Sequence, residues 1–229
     1  MAGIEQNFLM AALGGILPAL FWLWFWLRED RRHPEPKGLI LEAFIMGGVG
    51  TFFALALEKY AQGFALTGLA LGISWATIEE IIKYLAAYLG AFIHKDFDEP
   101  VDAMIYLTIS ALGFAALENT LFLINALAKV GDNAAFITGN IRFIGASLLH
   151  LVSSSVVGAA IGLTFYKSPR ARGLATFIGL ILAIGLHTLF NFFIMYEDGK
   201  HTFSVLLTLW LAVIITFLMF ERVKRVKSS

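Results

Sequence analysis

The chain contains no cysteine. That excludes a disulfide framework, thiolate chemistry and any cysteine-ligated metal site. Charge is scarce as well: 15% of the residues are Asp, Glu, Lys or Arg, against roughly a quarter in a soluble domain. The formal net charge is zero, so it points to no class of partner. There are five prolines, no fixed-period repeat, and no stretch with the composition of a soluble domain.

What fills the chain is apolar. Hydrophobic residues make up 59% of it and the mean hydropathy is +0.77, the composition of a polytopic membrane protein. The sequence predicts an all-α fold, a polytopic transmembrane helix bundle of about seven spanning helices forming one integral-membrane domain over 1–229. The expected spans are about Asn7–Leu27, Gly38–Leu57, Phe64–Ile93, Asp102–Ala126, Ile141–Tyr166, Gly173–Met195 and Thr202–Phe220. The first run ends in Arg and Glu with no small-residue cleavage site, so it reads as a retained helix. Its aromatic end, Phe21 to Trp26, reads as an interfacial belt. Leu127–Asn140 reads as a polar loop, and Gly158-x-x-x-Gly162 as a close-packing helix face. Lys and Arg gather in Arg28–Lys37, Lys167–Arg172 and the tail 221–229. That asymmetry predicts the amino terminus outside and the carboxyl terminus in the cytoplasm.

The third span holds the anomaly. Glu79, Glu80 and Lys83 sit in the middle of an apolar run. Each ionisable group at mid-bilayer costs roughly 2.5–3.5 kcal/mol, so the three together cost on the order of 8–10 kcal/mol without compensation. Lys83 lies i+4 from Glu79 and i+3 from Glu80, so it can reach either carboxylate but cannot neutralise both. The other glutamate requires a proton or a partner on another helix. Candidates at overlapping depth are Glu118 and Asn119 in span four, His150 in span five, and His187 with Asn191 in span six; Arg142 lies nearer the outer face. The site is therefore expected between helices 3, 4, 5 and 6, in a core of about 38–195. Singly, each residue has a plainer use: an ion-pair clamp, a packed histidine, interhelical hydrogen bonding. Ser153–Ser155 read as small-residue packing and Asp102 as a helix start. Jointly, three intramembrane carboxylates and two histidines point to function.

Two chemistries use such a set. Carboxylate and histidine can activate water while a second histidine and an amide stabilise an oxyanion, with no cofactor. The same residues, Glu79, Glu118, His150 and His187, can instead ligate zinc or another divalent metal. The chain has no His-Glu-x-x-His, no Gly-x-Gly-Asp and no Gly-x-Ser-Gly, which excludes the standard zincin, intramembrane aspartyl and rhomboid-type signatures. A proton- or ion-coupled transporter remains as an alternative, though no pair of interrupted helices in matching halves supports it. A non-catalytic membrane scaffold is the third reading.

Four pieces, in order, carry a family resemblance: Glu79-Glu80-x-x-Lys83; Phe97-Asp98-Glu99-Pro100-Val101-Asp102 leading to Gly113-Phe114-x-x-x-Glu118-Asn119; His150 with Gly158; and His187-x-x-x-Asn191. Over Gly38 to Asn191 the chain resembles the PrsW family of intramembrane proteases, distantly related to type II CAAX prenyl proteases and the Abi group. The resemblance implies a glutamic-type or metal-dependent endopeptidase of the bacterial cytoplasmic membrane. Its substrate would be a membrane-anchored protein, with anti-sigma factors the best known example, and no nucleic acid is involved. Taking residues and resemblance together, Glu79, Glu80, Glu118, His150, His187 and Asn191 are expected to be catalytic, and Lys83, Asn119 and Arg142 to contact substrate. The chain departs from the CAAX relatives in having Glu118 where they have histidine, and Ser154 where they have asparagine.

Overall fold

The structure is a computed structural model. It describes residues 2–28, 34–64, 66–130, 132–195 and 202–228, with side chains apart from those of 2–4, 6, 129–144, 194, 195 and 202. These residues form seven α-helices: α1 (Ala2–Trp26), α2 (Lys37–Gln62), α3 (Gly68–Ala87), α4 (Asp102–Val130), α5 (Asp132–Leu163), α6 (Pro169–Met195) and α7 (Thr202–Val223). No strand occurs among the described residues. Six of the helices are long and apolar enough to cross a membrane. The exception is α3, 20 residues long, because Glu79, Glu80 and Lys83 interrupt its apolar run.

Burial separates centre from periphery. The apolar spans of α4 and α5 are 72% and 78% buried, whereas those of α1, α2, α6 and α7 are 22–33% buried. α4 and α5 therefore form the hub, and the other helices turn large apolar side chains such as Phe53, Leu174 and Phe203 outward, as a lipid-facing surface requires. Two helix starts follow from local chemistry. Ser168 caps α6, its Oγ accepting the Ala171 amide, with Pro169 at the first helical position. Asp102 opens α4 and its Oδ2 accepts the amides of Asp98 and Glu99. One turn further on, the Tyr106 hydroxyl donates to Glu35. A π-helical turn, Tyr88–Phe92, continues α3.

Three expectations change. Most of Leu127–Asn140 is helical, belonging to the end of α4 and the start of α5; the stretch contains no proline to stop a helix. The aromatic end of α1 is not simply a belt. Trp22 and Trp26, four residues apart, face inward, and Trp26 stacks on Phe217 and Phe220 of α7 at 4.5 and 5.0 Å. Phe21 and Trp24 point out. Ser153 is more than packing, as described below. The glycine face does pack closely: a Cβ on Gly158 would stand 2.6 Å from Met104 Cα, and one on Gly162 would stand 2.5 Å from the Pro100 carbonyl.

Candidate active site

α3 brings Glu79, Glu80 and Lys83 to a point where α4, α5 and α6 supply Glu118, His150 and His187. All three α3 groups are buried, Lys83 completely. Lys83 resolves the ambiguity of its two neighbours by pairing with Glu80, Nζ to Oε1 at 2.6 Å. The same oxygen accepts from Ser153 Oγ at 2.9 Å and from His187 Nδ1 at 2.7 Å. Glu80 is thus a structural anchor holding three helices together. Buried charge is tolerated where it is paired and hydrogen-bonded in this way.

Glu79 is different. Its Oε2 is buried and has no hydrogen-bond partner. It faces His150 Nδ1 and His187 Nε2, each at 3.8 Å. His187 donates through Nδ1 to Glu80, so its Nε2 lone pair looks at the carboxylate oxygen of Glu79, acceptor against acceptor. His150 is fixed from both sides: Nε2 meets Glu118 Oε2 at 2.8 Å, and Nδ1 lies 3.0 Å from Lys83 Nζ. Its ring also packs against Phe114 and, edge to face, against His187.

Glu79, His150 and His187 therefore offer three ligand atoms within 4.8 Å of one another, the one such cluster among the described residues. The donor set fits a divalent metal. Two imidazoles and a carboxylate form a common zinc set with one position left open. Each histidine has its second nitrogen held by a carboxylate, Glu118 for His150 and Glu80 for His187, the outer-shell arrangement that orients metal-binding imidazoles. The orphaned Glu79 oxygen is the position such an ion would satisfy. Occupation requires Lys83 Nζ to leave the His150 lone pair, and its closer contact to Glu80 can persist.

The remaining sequence candidates fall around this cluster. Asn119 is buried and donates through Nδ2 to Ser147 Oγ at 3.2 Å, joining α4 to α5. Lys83 is enclosed by its partners and by the Phe114 ring, 5.7 Å from its Nζ. Asn191 lies one turn beyond His187 on the wall of a neighbouring cavity between α3 and α6. The side chain of Arg142 lies outside the described residues. Sequence reasoning does not single out Ser153, which it reads with its neighbours as packing. A serine inside a Ser-Ser-Ser run carries no local sign of which hydroxyl meets a carboxylate 73 residues away.

A buried Glu/His cluster inside a bundle of apolar helices belongs to an integral-membrane protein, and comparison with known proteins makes the class specific. The family model described as PrsW family intramembrane metalloprotease matches residues 35–219. The chain belongs to that family, and it is an intramembrane protease. Similar proteins include Protease PrsW of Geobacillus kaustophilus (strain HTA426), 26% identical over 208 residues covering 87% of each chain. Protease PrsW of Bacillus subtilis (strain 168) is 25% identical over 78% of this chain and 79% of its own. Protease PrsW of Oceanobacillus iheyensis (strain DSM 14371 / CIP 107618 / JCM 11309 / KCTC 3954 / HTE831) is 26% identical over 94% and 95%. No solved structure matches the chain significantly.

Proposed function

We propose that this chain is a metal-dependent intramembrane endopeptidase whose centre is Glu79, His150 and His187. The observation that carries the proposal is the convergence of these three side chains, with each histidine backed by its own carboxylate. A divalent ion such as zinc, when bound there, supplies Lewis-acid polarisation and lowers the pKa of a bound water. The chain's own residues do the rest. Glu118 and Glu80 fix the two imidazole orientations. Lys83 and Ser153 hold Glu80 in place, so the His187 ring cannot swing. Glu118 is the most accessible of the three carboxylates, its side chain 25% exposed, and is the group placed to exchange a proton with incoming water. Asn191 borders the route of the substrate strand. His187, committed through both ring nitrogens, serves the centre and not the oxyanion.

A second reading has one observation in its favour. Lys83 Nζ sits on the His150 Nδ1 lone pair at 3.0 Å, as it would in a metal-free enzyme where Glu79 is the general base on water. The substrate in either case is a membrane-anchored protein, of which an anti-sigma factor is the example suggested by family resemblance, cleaved in the bacterial cytoplasmic membrane with the amino terminus of the protease outside. The test is metal content of the purified full-length protein together with cleavage of a co-reconstituted single-span protein. About one metal per chain, with cleavage lost on chelation and restored on readdition, is the expected result. Cleavage by metal-free protein overturns the metal assignment and leaves glutamate-activated water. Glu79→Gln is expected to abolish cleavage on both readings.

A further inference from the structure

One carboxylate near the site has no part in the reading above. On α2, Gly47, Thr51, Ala54 and Glu58 recur at i, i+4, i+7 and i+11, one stripe of the helix. The first three are buried. Ala54 packs with Ile82 of α3 and Phe114 of α4. Glu58 follows it by four residues, one turn beyond that apolar contact, and is half-buried.

Two contacts fix the register of α2 on α4. A Cβ on Gly47 would strike the Ser110 carbonyl, and Thr51 Oγ1 donates to the Phe114 carbonyl at 3.2 Å. Ser110 stands 63 residues after Gly47, as Phe114 does after Thr51, so the two helices run parallel. The same offset sets Glu58 level with Leu121, three residues past Glu118 and about 4.5 Å further along the axis. The charges of Glu58 and Glu118 act on each other, and both act on Glu79. Exposure rises toward this end of the bundle: the side chain of Glu80 is 1% exposed, that of Glu79 10% and that of Glu118 25%.

Glu58 makes no hydrogen bond or ion pair among the described residues. Lys59 lies on the exposed side of α2, and Lys83 is committed to Glu80. A half-buried carboxylate beside like charges is unfavourable until positive charge comes to it. A second observation says where such charge would go. Glu79 Oε2 is buried, has no partner and faces both histidines. Carboxylates along a low-dielectric mouth concentrate cations and raise their rate of arrival, and their field reaches further there than in water.

We propose that Glu58 is the entry carboxylate for the divalent ion: it draws the cation into the seam between α2 and α4 toward Glu79, His150 and His187, without being one of its ligands. This rests on the metal reading of that centre and adds the residue that governs its loading.

The test measures loading directly. Full-length protein in detergent is stripped with chelator, and zinc uptake is followed by stopped flow against a fluorescent indicator. Mildly alkaline pH keeps protons off the ligands. Wild-type uptake is expected to be fast at low salt and to slow several-fold at high salt. Glu58→Gln is expected to load about tenfold more slowly at low salt and to lose most of the salt dependence. It should still fill to one zinc per chain at excess metal, whereas Glu79→Gln should not. Glu58→Asp should restore fast, salt-sensitive uptake. Glu42→Gln, the same change at the other end of α2, should load like wild type. The metal-free unfolding temperature of Glu58→Gln should be unchanged or raised, because an unpaired charge has gone. Uptake by Glu58→Gln at the wild-type rate, with the wild-type salt dependence, overturns the entry role. So does a lowered metal-free unfolding temperature, which assigns Glu58 to structure. Wild-type protein that binds no zinc overturns the metal reading and the entry role together; wild-type protein that binds zinc no faster than Glu58→Gln overturns the entry role alone.

Discussion

Glu79 and Glu80 are neighbours in sequence with opposite duties, and substitutions should separate them. One oxygen of Glu80 accepts from Lys83, Ser153 and His187. Glu80→Gln removes the charge that balances a fully buried ammonium. Breaking a buried pair from one side costs about 3–5 kcal/mol, so this variant should lose folded protein, read as a collapse of the unfolding transition in detergent. Glu79→Gln removes no hydrogen bond through Oε2; compared in chelator with metal-free wild type, it should unfold alike, while cleavage is lost. Glu118 acts through His150, so Glu118→Gln should keep the fold and weaken metal binding by about 10–100-fold, measured by competition with a chelating indicator. Unchanged metal affinity would remove Glu118 from the support of that ligand.

At the scale of elements, the site is rigid because α2, α4 and α5 approach backbone to backbone. A Cβ on Gly113 of α4 would stand 1.9 Å from the Phe44 carbonyl of α2, and one on Gly47 would stand 1.9 Å from that of Ser110. Main chain cannot yield as a side-chain tip does, so Gly113→Ala must push the helices apart. Overpacking of this kind costs about 1–3 kcal/mol. The unfolding temperature should fall, and cleavage with it, since Glu118 lies on the same helix five residues on. Gly173→Ala, where a Cβ meets nothing within 4 Å, is the matched control and should be neutral or stabilising. The third helix shows how pattern and packing divide the labour. Its apolar run and its three ionisable residues are plain in the sequence. That Lys83 would choose Glu80 is not, because both spacings permit the bond and only His187 and Ser153, brought by α6 and α5, break the tie.

The molecule as a whole places its least polar helices outside and its most enclosed ones, α4 and α5, at the centre. Basic residues predict which end faces the cytoplasm. The absence of native cysteine makes that directly measurable: Lys167→Cys protein should react with impermeant maleimide only from the cytoplasmic side, and Gln62→Cys protein only from the outside. The reverse labelling would invert the topology. Hydropathy alone sufficed for the bundle and the order of its helices, because burying backbone in lipid forces helices of a set length, but not for where α4 ends and α5 begins. The same cost argument identified Glu79, Glu80, Glu118, His150 and His187 as candidates, since unpaired charge in an apolar run is too expensive to be idle. Which atoms meet was left to the assembled fold: Lys83 with His150 across 67 residues, Glu80 with His187 across 107. Local pattern records what each residue is and which way its helix face turns; pairings between distant helices depend on how those faces are packed, and no short-range period in the chain encodes that.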